Sequence, residues 1–273
     1  MPAPMAGIEL RAMNAVLAEI LETGCVAAPD GSSVPLNYHI SAEEGAALQR
    51  LIRAVKPRVT LEIGFAYGIS TLFICEALAE VGGERHIVID PVQRDGWKGI
   101  GLYTLERAGY GSLIEFHGES SHQALPRLEQ AKQRVDLALI DGWHTFDYVL
   151  VDFFYVDRLL NVGGVVMFDD ARSYPAIRKV ARYVATHRRY VPIPNEGEPP
   201  QSFARRAFGA ATSILRQPPI RSLARHLVRP DVLYPDRALG LPRDNFIAFR
   251  KTGDDVLGDG SGQSRKWDQH VDF

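Results

Sequence analysis

The sequence predicts an α/β protein with a mostly parallel sheet of seven strands and helices on both faces. Two observations lead there. The run Val59, Leu61, Ile63 reads as an apolar strand that enters a turn with two glycines, and Leu72, Phe73, Ile74 and Leu78 follow at once as an apolar helix. From residue 59 onward, short runs rich in Val and Ile alternate with helix-length segments, the pattern of a parallel sheet covered on both sides.

The elements follow in order. Met13, Val16, Leu17, Ile20 and Leu21 recur at helical spacing and predict an amphipathic helix over residues 7–23. Residues 27–35, rich in Pro, Gly and Ser, read as a loop. Ser41 followed three residues later by Glu44 is a capping box, and it starts a helix carrying Leu48, Leu51, Ile52 and Val55 that Pro57 stops. Strands are expected at 59–63, 86–90, 113–117, 135–140 and 164–168, with two more at 189–193 and 246–250. Between the last two lies an insertion, 195–245. Its 199–230 portion holds six arginines (Arg205, Arg206, Arg216, Arg221, Arg225 and Arg229) and no acidic residue. That portion reads as a solvated helical face, or as a surface for an acidic or anionic partner. Residues 252–264 read as a flexible linker, and the Trp267 and Phe273 beyond it as a docking tail. The expected organisation is an N-terminal helical cap (1–56), a ligand-binding domain (57–251) with the insertion, and a tail (252–273).

Composition narrows the function classes. At 46% hydrophobic and 23% charged residues, the chain has the balance of an ordinary globule. A net charge of −2 selects neither nucleic acid nor a membrane surface. Cys25 and Cys75 match no metal or redox spacing, and Cys75, inside the apolar helix, is expected to be buried and inert. The start has no basic region leading into an apolar run, and no apolar stretch reaches the roughly 18 residues of a membrane span, so the cytoplasm is the expected compartment.

The glycine turn carries the chemistry. Its spacing is Glu62-x-Gly64-x-x-x-Gly68. The middle glycine of G-x-G-x-x-G and the Lys-Ser/Thr of a phosphate loop are both missing. A ligand with a ribose but no phosphate fits better than a dinucleotide, and S-adenosylmethionine is the common one. Asp90 ends the second strand of the alternation, where a carboxylate can accept from ribose hydroxyls or cap the turn before Pro91. Glu62 is expected near the ligand's amino group, and Ser70 as a cap for the helix after the turn. Asp141 follows the fourth strand and Asp169-Asp170 the fifth. Neighbouring parallel strands set their carboxyl ends side by side, so the three carboxylates should converge. With no cysteine among them they suit a hard divalent ion, Mg²⁺ first, then Mn²⁺ or Ca²⁺. The competing reading makes Asp170 or Ser173 a helix cap and Asp141 a turn-former.

The turn resembles the first motif of class I S-adenosylmethionine-dependent methyltransferases. The run from His39 to about Val184 is similar to small bacterial members related to catechol, caffeoyl-CoA and macrocin-type O-methyltransferases. The resemblance implies a Rossmann-like seven-stranded sheet whose last strand runs antiparallel. It assigns adenine recognition to Glu119 and Ser120, with Tyr67, Pro91, Asp141, Gly142 and Trp143 completing the cofactor contacts. It makes Asp141, Asp169 and Asp170 metal ligands. His144, at the offset where catechol-type enzymes have lysine and macrocin-type enzymes histidine, becomes the base. The implied activity is methylation of a hydroxyl on a small molecule or sugar, with a homo-oligomer expected and no nucleic-acid partner. The alternatives are a metal-independent O- or N-methyltransferase, a non-catalytic cofactor-binding module, and a nicotinamide dehydrogenase.

Overall fold

A computed structural model describes residues 13–37, 39–194, 236–242 and 244–254. The start of the expected N-terminal helix, the arginine-rich 199–230 run and the docking tail lie outside the described residues. The chain forms two compact units, Met1–Gly142 and Trp143–Phe273.

The first unit opens with helix α1 (Ala15–Thr23), whose N-cap Asn14 accepts from Val16 N, and which ends at Gly24 in the left-handed conformation. Residues read from sequence as loop instead form a small antiparallel hairpin, β1 (Cys25–Ala27) and β2 (Ser33–Pro35). Its strands are too short to show a period, while the turn-forming residues 28–32 between them dominate the composition. Helix α2 (Ala42–Val55) starts with the expected capping box: Ser41 Oγ accepts from Glu44 N, and the Glu44 carboxylate accepts from Ser41 N.

Then come β3 (Val59–Ile63), α3 (Ile69–Glu80), β4 (Arg85–Ile89), α4 (Ile100–Arg107), β5 (Ile114–His117), α5 (Ser121–Gln130) and β6 (Val135–Ile140). Strands β5, β4, β3 and β6 lie in that order, all parallel. Helix α3 is buried from Ile69 to Leu78, as expected for a helix that is apolar on every side. It is held to the N-terminal helices: Gly45 of α2 leaves room for the Phe73 ring, and Gln49 Nε2 donates to Glu76 at 2.6 Å.

The second unit contains α6 (Phe146–Leu159), β7 (Leu160–Phe168), α7 (Pro175–His187), β8 (Tyr190–Ile193) and β9 (Ile247–Lys251). Strand β9 pairs antiparallel with β7 and with β8, lying between them. β7 begins four residues before the expected start, where Leu160 follows α6 directly and the polar Asn161-Val162-Gly163-Gly164 stretch hides the strand signal. A buried charge cluster fixes this unit: Asp157 accepts from Tyr190 Oη at 2.7 Å and pairs with Arg188, while Lys251 Nζ donates to the carbonyls of Asp157 (2.6 Å) and Leu160 (3.0 Å). The seven-stranded, mostly parallel sheet is the one expected from sequence.

Candidate active site

Strand register builds the site in the first unit. Ile63 stands opposite Ile89 and Ile140, and Ile89 opposite His117. The ladder continues one step further, with Gly64 N donating to Ile89 O, Asp90 N to His117 O and Asp141 N to Ile63 O. Gly64, Asp90, Gly118 and Asp141 therefore line up along the carboxyl edge of four parallel strands, where open α/β sheets take their ligands.

Both glycines are structurally required. Gly64 has φ +94°, and a Cβ there would lie 2.1 Å from the Asp141 carbonyl oxygen. Gly68 has φ +79° and is the N-cap of α3, and a Cβ on it would crowd Phe65 and Gly101. Because Gly68 carries no side chain, the amides of the first turn of α3 receive no side-chain cap.

The Asp90 carboxylate is buried and turned onto the backbone. One oxygen accepts from Phe65 N (3.2 Å) and Ala66 N (3.0 Å), the other from Val92 N (2.8 Å). It braces the glycine turn through the bonds a strand-end cap would make. Glu62 is fully enclosed, accepting from the hydroxyls of Ser70 and Thr71 and facing His86 Nε2 at 3.0 Å. Ser70 thus bonds Glu62 and does not cap its helix. Tyr67 is buried and packs edge-on against Trp97, with ring centroids 5.0 Å apart. Glu119 pairs with Arg127, and Ser120 is the N-cap residue of α5 by position, though it makes no side-chain cap bond.

One residue of this edge escapes sequence reasoning. Gln93 is buried, donates to Ala66 O at 2.8 Å and accepts from Gly101 N at 3.0 Å, stapling the long 90–101 segment to the glycine turn. The sequence of this segment, with Gly96, Gly99 and Gly101, does not reveal which side chain fastens it.

The acidic pair after β7 lies in the second unit. Asp169 is buried, and its Oδ1 accepts from Asp170 N (2.6 Å) and Asn245 Nδ2 (3.0 Å). Asp170 takes the left-handed conformation at φ +56°, accepts from Asn245 Nδ2 at 3.2 Å and faces His144 Nδ1 at 3.5 Å. The imidazole of His144 lies against the Tyr174 ring, centroids 4.3 Å apart. Asn245, two residues ahead of β9, bridges both carboxylates. Its place in the insertion gave no sequence signal.

Within the second unit, Asp170 and His144 stand side by side, both of types that can bind a divalent ion such as Mn²⁺ or Mg²⁺, and Asp169 supports Asp170 by accepting from its backbone N–H. Trp143, at 68% exposed, and Tyr174, at 43%, stand out from the surface beside these residues in sequence.

Known proteins resemble this chain in sequence and in fold. Residues 61–171 match the family described as a methyltransferase domain. The chain is 32% identical over 167 residues to a caffeoyl-CoA O-methyltransferase of Petroselinum crispum, covering 55% of this chain and 64% of that protein. It is 28% identical over 154 residues to the tapetum-specific methyltransferase 1 of Arabidopsis thaliana, covering 55% and 62%. The chain thus spans less than two thirds of these relatives' own length. Among solved structures it resembles an O-methyltransferase from Bacillus cereus in complex with SAH, with a TM-score of 0.56, 22% identity and coverage of 68% of this chain and 85% of that one. It also resembles the O-methyltransferase TomG from Streptomyces achromogenes in complex with SAM, with a TM-score of 0.51, 21% identity and coverage of 68% and 91%. At those identities the structures speak for the fold alone. Over residues 61–171 the chain is thus similar to methyltransferase domains, and its fold is that of the S-adenosylmethionine-dependent O-methyltransferases it resembles.

Proposed function

We propose that the protein is an S-adenosylmethionine-dependent O-methyltransferase, metal-assisted, acting on a hydroxyl of a small molecule or sugar. The observation that carries this reading is the row of Gly64, Asp90, Gly118 and Asp141 along one strand edge, next to a glycine turn without a phosphate-binding signature. In this reading Gly64, Tyr67 and Gly68 receive the methionine part, with Glu62 and Ser70 behind the turn. Asp90 and Pro91 border the ribose, Glu119 and Ser120 the adenine, and Asp141, Gly142 and Trp143 close the edge.

The sulfonium is already an activated methyl donor, so the chain's task is alignment and proton removal. Holding a hydroxyl oxygen in line with the methyl supplies on the order of 7–11 kcal/mol. His144 is assigned as the base, its ring oriented by Asp170 and Tyr174, and a positioned base contributes about 10²–10⁴-fold. Asp170 would contribute a carboxylate to a divalent ion, with Asp169 supporting it through its bond to Asp170 N. Such an ion, when bound, makes a coordinated hydroxyl more acidic. A homo-oligomer is consistent with the exposed Val151 and Phe154 on α6. No described helix is long and apolar enough to cross a membrane.

A second reading has its own support: Asn245 Nδ2 donates to both Asp169 and Asp170, so the protein itself takes up part of their acceptor capacity, as a structural role for the pair in a metal-independent enzyme would need. Methyl transfer from S-adenosylmethionine to catechol and sugar-diol acceptors, measured after EDTA treatment and again after Mg²⁺ add-back, separates the two. Activity that survives EDTA removes the ion from the reading, and calorimetric binding of NAD in place of S-adenosylhomocysteine removes the methyltransferase.

A further inference from the structure

Five polar side chains lie sealed beneath the glycine turn. Thr60, Glu62, Thr71 and His86 are fully buried, and Ser70 is 7% exposed. Thr60 Oγ1 is 2.8 Å from His86 Nδ1, and His86 Nε2 is 3.0 Å from Glu62 Oε2. The hydroxyls of Ser70 and Thr71 close on the two oxygens of the same carboxylate. One protonation pattern satisfies every member. Thr60 donates to Nδ1, the Nε2–H donates to Glu62, and the ionised carboxylate accepts from both hydroxyls.

Such a cluster is an expensive way to fill a core, since well-packed apolar residues of equal volume stabilise a fold at least as well as buried ionisable ones. What it adds is geometry. Glu62 sits two residues before Gly64, at the end of β3, while Ser70 and Thr71 belong to the first turn of α3, just after Gly68. The carboxylate therefore grips both ends of the turn. His86, on the neighbouring strand β4, fixes the carboxylate in turn. Helix α3 has no side-chain cap of its own, so this grip sets where its first amides point. Glu62 is enclosed too completely to meet a ligand itself.

We propose that His86 and Glu62 are a positioning pair for cofactor binding, holding the 64–68 turn and the start of α3 in the shape that receives S-adenosylmethionine. This rests on the reading that the glycine turn is the cofactor site. His86 carried no sequence signal for such a role, since a histidine within a strand reads as core or surface filler.

The test is calorimetric titration of S-adenosylhomocysteine into the full chain and its variants, with steady-state KM and kcat for S-adenosylmethionine. His86→Leu removes the donor to Glu62 and should weaken binding about 3- to 30-fold, the range seen when a coupled network residue is lost. KM should rise while kcat at saturation changes little. His86→Gln, whose amide can donate to Glu62 from nearly the same point, should recover most of the affinity. Thr71→Val, which deletes one hydroxyl at constant shape, supplies the same comparison should His86→Leu not fold. A folded His86→Leu or Thr71→Val with parental affinity and a lowered melting temperature would make the network purely structural and overturn the proposal. A parent chain that binds no S-adenosylhomocysteine overturns the cofactor-site reading and this proposal with it; that outcome differs from a parent that binds and a variant that binds equally well.

Discussion

His144 has an environment built for orientation, with Asp170 Oδ2 3.5 Å from Nδ1 and the Tyr174 ring against the imidazole. Replacing it by alanine should lower kcat about 10²–10⁴-fold while S-adenosylhomocysteine affinity stays near parental, a split that stopped-assay kinetics and calorimetry can read. Cys75 shows the opposite environment. Burial pushes its thiol well above the ordinary range, and the nearby Glu62 carboxylate adds to the shift. The folded protein should therefore leave Cys75 unmodified by a thiol-specific dye that reacts with it in denaturant. Cys75 was legible as inert from its place in an apolar helix. The enclosure of Glu62 was not: a carboxylate before a glycine turn looks the same in sequence whether it faces a ligand or a histidine on the next strand.

At the scale of elements, the glycine turn and the buried charge cluster of the second unit are the points where single changes should cost most. Gly64→Ala places a Cβ 2.1 Å from the Asp141 carbonyl at φ +94°, so the β3–α3 turn must deform. The strained backbone alone costs about 1–3 kcal/mol, and cofactor binding should fail together with stability. Asp157→Ala removes the buried carboxylate that pairs with Arg188 and lies 3.6 Å from Lys251 Nζ. Breaking a buried ion pair in this way costs about 3–5 kcal/mol, readable as a drop in the urea midpoint. The 3-10 turn Asp236–Leu239 is tied to α7 by Asp236, which accepts from Arg178 and Arg182 at 2.6 Å each. Burial raises the Asp236 carboxyl, yet the two guanidiniums outweigh it and hold the group below the usual range. A carboxyl depressed in the folded state contributes its stability above the unfolded pKa and loses it as pH falls through the folded value. The urea midpoint should thus decline on acidification from about pH 5 toward pH 2, and Asp236→Asn should flatten part of that slope.

For the whole molecule, the class of fold and the position of the glycine turn came from local signals. Apolar runs of strand length, alternating with helices from residue 59, announced the parallel sheet because strands covered on both faces are mostly apolar. The Glu62–Gly68 turn was legible because its backbone at Gly64 and Gly68 has positive φ, where glycine is strongly favoured. These facts reside in neighbouring residues, and periodicity and steric rules suffice to read them. What the carboxylates near the strand ends do was decided by the tertiary structure. Asp90 folds back onto three backbone amides, Glu62 closes on Ser70, Thr71 and His86, and Asp169 turns to Asn245. A carboxylate takes the donors nearest to it in space, and those come from strands and loops up to 76 residues away in the chain. Sequence spacing carries no record of such distances, so only the folded chain could assign these partners.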